Sequence, residues 1–268
     1  MLRRSIFILT SLLVLAACSR ESQYDVYLFI GQSNMAGRGY MLPEDSTVIA
    51  HAFILDDSDE IVPASAPLNR YSTIRKNASM QRLNPAYAFS KAVAGVSGND
   101  MLMVVNARGG SGLDEWLKGA PRDTFSVRGA DEPEWVGNVM PSFYDEAVRR
   151  TRIAMQHGRL KAILWHQGCS DSGPRAVATY MERLESFVSD LREDLGVGEE
   201  VPFIAGEIPY CFSGSKLFNP MIRTIGEHIP NSAWVSAEGC PGNSDSLHFS
   251  REGQLLLGRR YADTYLAL

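Results

Sequence analysis

Little in this chain would hold a metal. It has four cysteines and five histidines in 268 residues, with no Cys-x-x-Cys or His-x-x-x-His pair and the histidines widely spaced. No metal site and no cofactor are expected from that pattern. Basic charge is also scarce, with 26 Lys and Arg against 31 Asp and Glu, a formal net charge of -5. A nucleic-acid partner is therefore not expected, because nothing would displace phosphate counterions in bulk. The short basic pairs, Arg149-Arg150 and Arg259-Arg260, fall in helix-like stretches and read as solvated faces. Internal repeats are missing, and no composition shift marks a second domain. What is present is ordinary: 45% hydrophobic residues, enough to bury the core of one domain.

A single long apolar run stands at the start, "MLRRSIFILTSLLVLAACS". Arg3 and Arg4 precede the apolar residues, and small residues lead to Cys18, the layout of a secretory signal too short to span a bilayer. The ending "LAAC" resembles a bacterial lipobox. Residues 1–18 are thus expected to be a lipoprotein-type signal ending at a lipidated Cys18, a plain signal peptide being the other reading. Residues 19–268 form one domain after a short linker, Ser19 to Gln23. The expected location is the bacterial periplasm or cell surface, with membrane attachment only through Cys18. Of the remaining cysteines, an oxidising compartment permits a Cys211–Cys240 bridge with Cys169 free, although spacing fixes no pairing.

Five apolar runs follow: "VYLFI" (26–30), "MLMVVNA" (101–107), "KAILWHQ" (161–167), "VPFIAGEI" (201–208) and "AWVSAEG" (233–239). Each is nearly continuous rather than alternating, as in strands covered on both faces. Amphipathic helix spacing appears over 84–96, 141–157, 175–195, 217–229 and 250–268. The alternation predicts an α/β fold, three layers α/β/α around a five-stranded parallel sheet, flavodoxin-like in kind. Residues 41–83 and 109–139 look irregular. Ligands in such sheets gather where loops leave the carboxyl ends of the strands.

Ser33 stands at such an exit, in "YLFIGQSNMAGRG" (27–39). Either it caps a helical turn, or it is a nucleophile whose own N–H helps hold an oxyanion. A serine needs a base. His51, His157 and His228 lie in loop or helix contexts, and His166 ends a strand. His248 falls in the polar loop "NSDSLHFS" (243–250), on the same sheet edge as Ser33, with Asp245 three residues earlier to orient it.

Taken together, "GQSNMAG", "ARGGSG" (107–112), "WHQG" (165–168) and "DSLHF" (245–249) resemble the SGNH hydrolase superfamily. The resemblance is nearest to its sialate O-acetylesterase-like branch, which includes the family six acetylxylan esterases. It implies Ser33 as nucleophile, His248 as base, Asp245 as orienting acid, and an oxyanion hole from the N–H groups of Ser33 and Gly110 and the amide of Gln167. It also implies an acetylated carbohydrate as substrate. Relatives often read His-Gln-Gly-Glu, and Cys169 stands here in place of that glutamate. Asp171 is expected to brace the loop, while Arg38, Arg108 and Trp116 would contact sugar or serve only as surface charge and loop packing. Two alternatives remain open: a general short-chain esterase or lysophospholipase of the same fold, and a glycan-binding surface lipoprotein without catalysis.

Overall fold

The computed structural model describes residues 24–70, 82–120 and 142–268. The expected signal segment with Cys18, the expected linker at 19–23, and the stretches 71–81 and 121–141 within or beside the two irregular regions lie outside the described residues. The first apolar run becomes β1 (Tyr24–Gly31), buried over its whole length. Its side chains divide by parity. Val26, Leu28 and Ile30 enter one core cluster, while Tyr27 and Phe29 enter the other. That division is what a strand covered on both faces requires.

The other expected strands are β4 (Asp100–Val105), β5 (Gly158–His166), β6 (Phe203–Gly206) and β7 (Ser232–Val235). The helices are α1 (Ser33–Ala36), α2 (Pro85–Val93), α3 (Phe143–Met155), α4 (Pro174–Leu195), α5 (Ser215–Ile222) and α6 (Arg251–Ala267). On one face, α2 and α6 contribute Tyr87, Phe89, Leu257 and Tyr261. The opposite face takes Tyr144, Leu184, Phe187 and Phe218 from α3, α4 and α5.

The sheet has seven strands rather than five, in the order β3-β2-β4-β1-β5-β6-β7. The additional pair is β2 (Ala52–Leu55) and β3 (Ile61–Pro63), an antiparallel hairpin inside the region that the pattern left irregular. Both strands are too short to show a period. The link between them is acidic (Asp56, Asp57, Asp59), and Pro63 closes the outer strand, where an edge position tolerates it. All other pairings are parallel. Without the hairpin, β4-β1-β5-β6-β7 is the 2-1-3-4-5 order of flavodoxin-like sheets. The chain leaves β1 toward β4 and later crosses to β5, so the crevice at the carboxyl ends opens around the end of β1.

Cys169, Cys211 and Cys240 are all free thiols. The bridge that the compartment would permit between Cys211 and Cys240 is not formed. Cys240 is buried and accepts a bond from Arg260 Nη1 (3.6 Å), whereas Cys211 is exposed.

Candidate active site

At the end of β1, Gly31 has φ +131, and a Cβ there would stand 2.2 Å from the His166 carbonyl oxygen. Only glycine lets the strand ends of β1 and β5 come so close. Gln32 N–H donates to that same His166 oxygen (2.9 Å), and the chain then turns into the four-residue α1. The N-cap of α1 is Gln32, which makes no side-chain capping bond. Ser33 is therefore not a cap, and its hydroxyl is spent elsewhere.

That hydroxyl meets His248: Nε2 lies 2.9 Å from Ser33 Oγ. On the other side of the ring, Nδ1 is 2.7 Å from Asp245 Oδ2. Asp245 Oδ1 accepts the backbone N–H groups of Leu247 and His248, both at 2.9 Å. This Asx-type turn, with Ser246 at φ 54, curls the loop so that the carboxylate meets the imidazole at Nδ1. Burial acts to raise the Asp245 pKa, but the bonds from the His248 ring and the two N–H groups outweigh it. The carboxyl is held below its ordinary value. An ionised Asp245 accepts Nδ1–H and leaves Nε2 with its lone pair toward Ser33.

Two amides flank the serine, and the sequence reading overlooked both. Gln32 Oε1 accepts from Gly168 N–H (2.9 Å), pinning the loop after β5. Asn34, fully buried, reaches the His248 loop, where its Oδ1 accepts from Phe249 N–H at 3.0 Å. Their adjacency to Ser33 in "GQSN" was the available signal. Their short bonds go to backbone groups, which carry no mark in a sequence.

Gly110 lies beyond β4 in a loop whose Arg108 N–H donates to Gly31 oxygen at 2.8 Å. It has φ +79 and open space where a Cβ would stand. Neither its N–H nor that of Ser33 has an acceptor among the described residues.

Gln167 is placed differently from the expectation. Its Nε2 donates to Ser111 oxygen (3.2 Å) and Asp171 Oδ2 (2.6 Å), and its Oε1 accepts from Tyr180 O–H (2.8 Å). Reversing the amide would set its oxygen against a carboxylate, so the orientation is fixed. Both amide hydrogens are consumed, and no donor is left for an oxyanion. Asp171 is the centre of this brace, also accepting from Leu113 N–H (2.9 Å) and pairing with Arg183 (3.4 Å).

Cys169 does not replace the missing glutamate as an acid. Burial pushes its thiol up to about 12, and its sulfur accepts a long bond from Asn34 Nδ2 (4.0 Å). Trp116 is wholly buried, edge-on to Trp165, with its Nε1 donating to Ser111 Oγ (2.9 Å), so it packs the loop. Arg108 is buried over the Phe143 ring. Arg38 stays half-buried, donating to Gly37 oxygen (2.6 Å), its pKa lowered by burial and by Arg82. Among the described residues no group of three or more His, Cys, Asp or Glu could hold a metal ion.

The arrangement is thus a hydroxyl, an imidazole and a carboxylate in series at the switch point of a doubly wound sheet, with the Ser33 and Gly110 N–H groups without an acceptor among the described residues. A solved protein from Arabidopsis thaliana has the same fold, with a TM-score of 0.75, 24% identity, and coverage of 91% of this chain and 98% of that one. In sequence, a probable carbohydrate esterase of Arabidopsis thaliana is 26% identical over 261 residues, 90% of each chain. The structure of NanS matches with a TM-score of 0.65 at 17% identity, over 92% of this chain and 98% of NanS. A carbohydrate acetylesterase from Xanthomonas citri follows at 0.61 and 17%, over 89% of this chain and 55% of that one. The family profile described as carbohydrate esterase, sialic acid-specific acetylesterase, matches residues 23–267. With nearly the whole chain inside that match, the protein belongs to this family of carbohydrate esterases.

Proposed function

We propose that the protein removes O-acetyl groups from carbohydrate through an acetyl-enzyme on Ser33. The observation that carries the reading is the 2.9 Å approach of His248 Nε2 to Ser33 Oγ, with Asp245 on the far side of the ring. The family supports an acetylated carbohydrate as substrate class, as does the fold shared with a carbohydrate acetylesterase of Xanthomonas citri. Which sugar bears the acetyl group, whether sialic acid or the xylan of the family six enzymes, is for a substrate panel to decide.

The steps use this chain's own groups. Ser33 Oγ attacks the acetyl carbonyl carbon as its proton passes to His248 Nε2, and the carbonyl oxygen takes the negative charge. The Ser33 and Gly110 N–H groups receive that oxygen; each such donor contributes about 3 kcal/mol to the transition state. His248 then gives its proton to the sugar oxygen as the carbon–oxygen bond breaks, leaving acetyl-Ser33. Water, deprotonated by His248, attacks the acyl carbon, acetate departs, and Ser33 recovers its proton. Asp245 stays ionised throughout and compensates the imidazolium. Gln167 takes no part in charge stabilisation in this reading; it braces the loop beside Gln32.

Export and attachment at Cys18 belong to the same proposal and rest on the pattern of residues 1–18 alone. The test of the function is acetate release from a panel of acetylated sugars, with longer acyl esters alongside, comparing the protein with Ser33→Ala. Acetate release that is lost in the variant and falls with acyl length supports the proposal. Turnover unchanged in Ser33→Ala would discard Ser33 as nucleophile, and faster turnover of long acyl esters would favour the general esterase reading.

A further inference from the structure

The residue after the nucleophile holds the chain on both sides of the base. Asn34 Oδ1 accepts from Phe249 N–H (3.0 Å), and its Nδ2 donates to Leu247 oxygen (3.3 Å). Leu247 and Phe249 are the two neighbours of His248. The side chain is fully buried, and its second amide hydrogen faces Cys169 Sγ at 4.0 Å. Every polar atom of the amide therefore has a partner, and two of the three bonds bracket one imidazole-bearing residue.

Physically, this is a register device. The base loop is otherwise exposed around Ser244 to Ser246 and carries a left-handed residue, Ser246. Its internal bonds, from Asp245 to Leu247 and His248, shape the loop but do not tie it to the nucleophile. Asn243 anchors the loop to the Arg38 oxygen at 3.3 Å, on the far side of α1. Beyond the Ser33–His248 bond itself, Asn34, covalently next to Ser33, ties the loop to the nucleophile's own segment on both sides of the base. The chemistry demands one acceptor and one donor separated by the width of a carboxamide. An aspartate offers two acceptors and would face the Leu247 carbonyl with a charge, whereas an apolar residue would strand a buried N–H and a buried C=O.

We infer that Asn34 is a positioning residue for His248: it acts on the reaction through the base and touches neither substrate nor oxyanion. The inference rests on the esterase reading of Ser33 and His248, and the test separates the two. A double-mutant cycle compares the protein with Asn34→Ala, His248→Ala and the double variant, reading kcat and KM on 4-nitrophenyl acetate, with Ser33→Ala as reference. Near-ultraviolet circular dichroism checks folding. A misplaced reacting group costs on the order of 100-fold. Asn34→Ala is accordingly expected to lower kcat by about 10- to 100-fold, with KM within about twofold. In the His248→Ala background the same change is expected to cost nothing further, because the group through which it acts is gone.

Additive losses in the double variant, or wild-type kcat in Asn34→Ala, would overturn the inference while leaving the nucleophile in place. Wild-type turnover in Ser33→Ala would overturn the esterase reading and the positioning role with it. Should Asn34→Ala fail to fold, the isosteric Asn34→Asp enters the same cycle. It keeps the acceptor for Phe249 N–H and loses the donor to Leu247, and it is expected to show the same non-additivity.

Discussion

His248 Nε2 stands 2.9 Å from Ser33 Oγ although 215 positions separate the two residues. The distance is set by two strand exits on one edge of a parallel sheet, β1 for the serine and the loop after β7 for the histidine. A short Asp245-to-His248 turn aims the ring. Each element is local; the sheet makes them meet.

Asp245→Asn separates shape from charge in that turn. The amide oxygen can still accept the Leu247 and His248 N–H groups, so the loop should persist and the melting temperature should move by only a few degrees. The ring loses its anionic partner, and kcat on an acetyl ester is expected to fall by about 10³- to 10⁴-fold. In the native protein the carboxyl is held below its ordinary value. Its stabilising contribution is thus fully present above the ordinary carboxylate range and is lost as pH falls through the lowered folded value. An asparagine variant with more than a tenth of native kcat would remove Asp245 from the mechanism.

Cys169 should be dispensable as a nucleophile. With its thiol pushed up to about 12 by burial, only about one molecule in 10⁴ carries a thiolate there at pH 8. Cys169→Ser is expected to keep kcat within about threefold. Iodoacetamide at pH 8 should label exposed Cys211 first, with Cys240, pushed up to about 11, also slow. Mass spectrometry of the tryptic peptides reads the order, and rapid labelling of Cys169 accompanied by loss of activity would contradict this account.

The parts of the molecule that could be read in advance are those whose signal is carried by their own residues. Five strands announce themselves as continuous apolar runs, four because they lie inside the sheet with both faces covered, and edge strand β7 despite a half-exposed Trp234. Ser33, Asp245 and His248 announce themselves because a serine, a histidine and an aspartate are distinctive side chains in polar stretches that follow strands. The β2–β3 hairpin stays hidden because its strands of four and three residues are too short for any period. The Gln167 brace stays hidden for a different reason. Tyr180 and Arg183 look like ordinary positions of an amphipathic helix, yet Tyr180 O–H donates to Gln167 and Arg183 pairs with Asp171. Nothing in the spacing of α4 distinguishes a helix face that packs from one that also donates hydrogen bonds. Gln32 and Asn34 stay hidden for a third reason: apart from the long contact of Asn34 with Cys169 Sγ, what they bind is main chain.

His166 should govern part of the acid sensitivity of the fold. It is fully buried, its Nδ1 bonds Tyr261 O at 3.1 Å, and its Nε2 has no partner among the described residues. Tyr261 O–H donates to the Trp165 carbonyl, so the His166 ring is the donor at Nδ1. Burial lowers its pKa to about 3. The folded ring refuses a proton that the unfolded chain accepts below about 6.5. Stability is therefore complete above that value and declines as pH drops toward 3, by about 2 kcal/mol between pH 6.5 and 5 from this group. His166→Asn, which can still bond Tyr261, is expected to flatten the melting-temperature profile between pH 7 and 5. An unchanged slope would show that the acid limb belongs to other groups.

Gln167→Glu decides between a brace and an oxyanion donor. The substitution preserves volume and the acceptor for Tyr180, but it places a second carboxyl where the amide now donates to Asp171 Oδ2 at 2.6 Å. Two carboxyls at that separation share one proton, and like charge raises the pKa of the pair's second ionisation. Below the raised value the shared proton restores a bond like the native one, and the variant should melt close to the native protein. Above it, the second charge is buried beside the first and stability should fall. The difference in melting temperature from the native protein is expected to widen from pH 5 to pH 8. Were Gln167 also a donor to the oxyanion, the same substitution would lower kcat by about 10²- to 10³-fold even at pH 5, where the variant melts like the native protein. Such a loss in kcat at pH 5, without a melting deficit there, would return Gln167 to the oxyanion hole and require its amide to turn away from Asp171 when substrate binds.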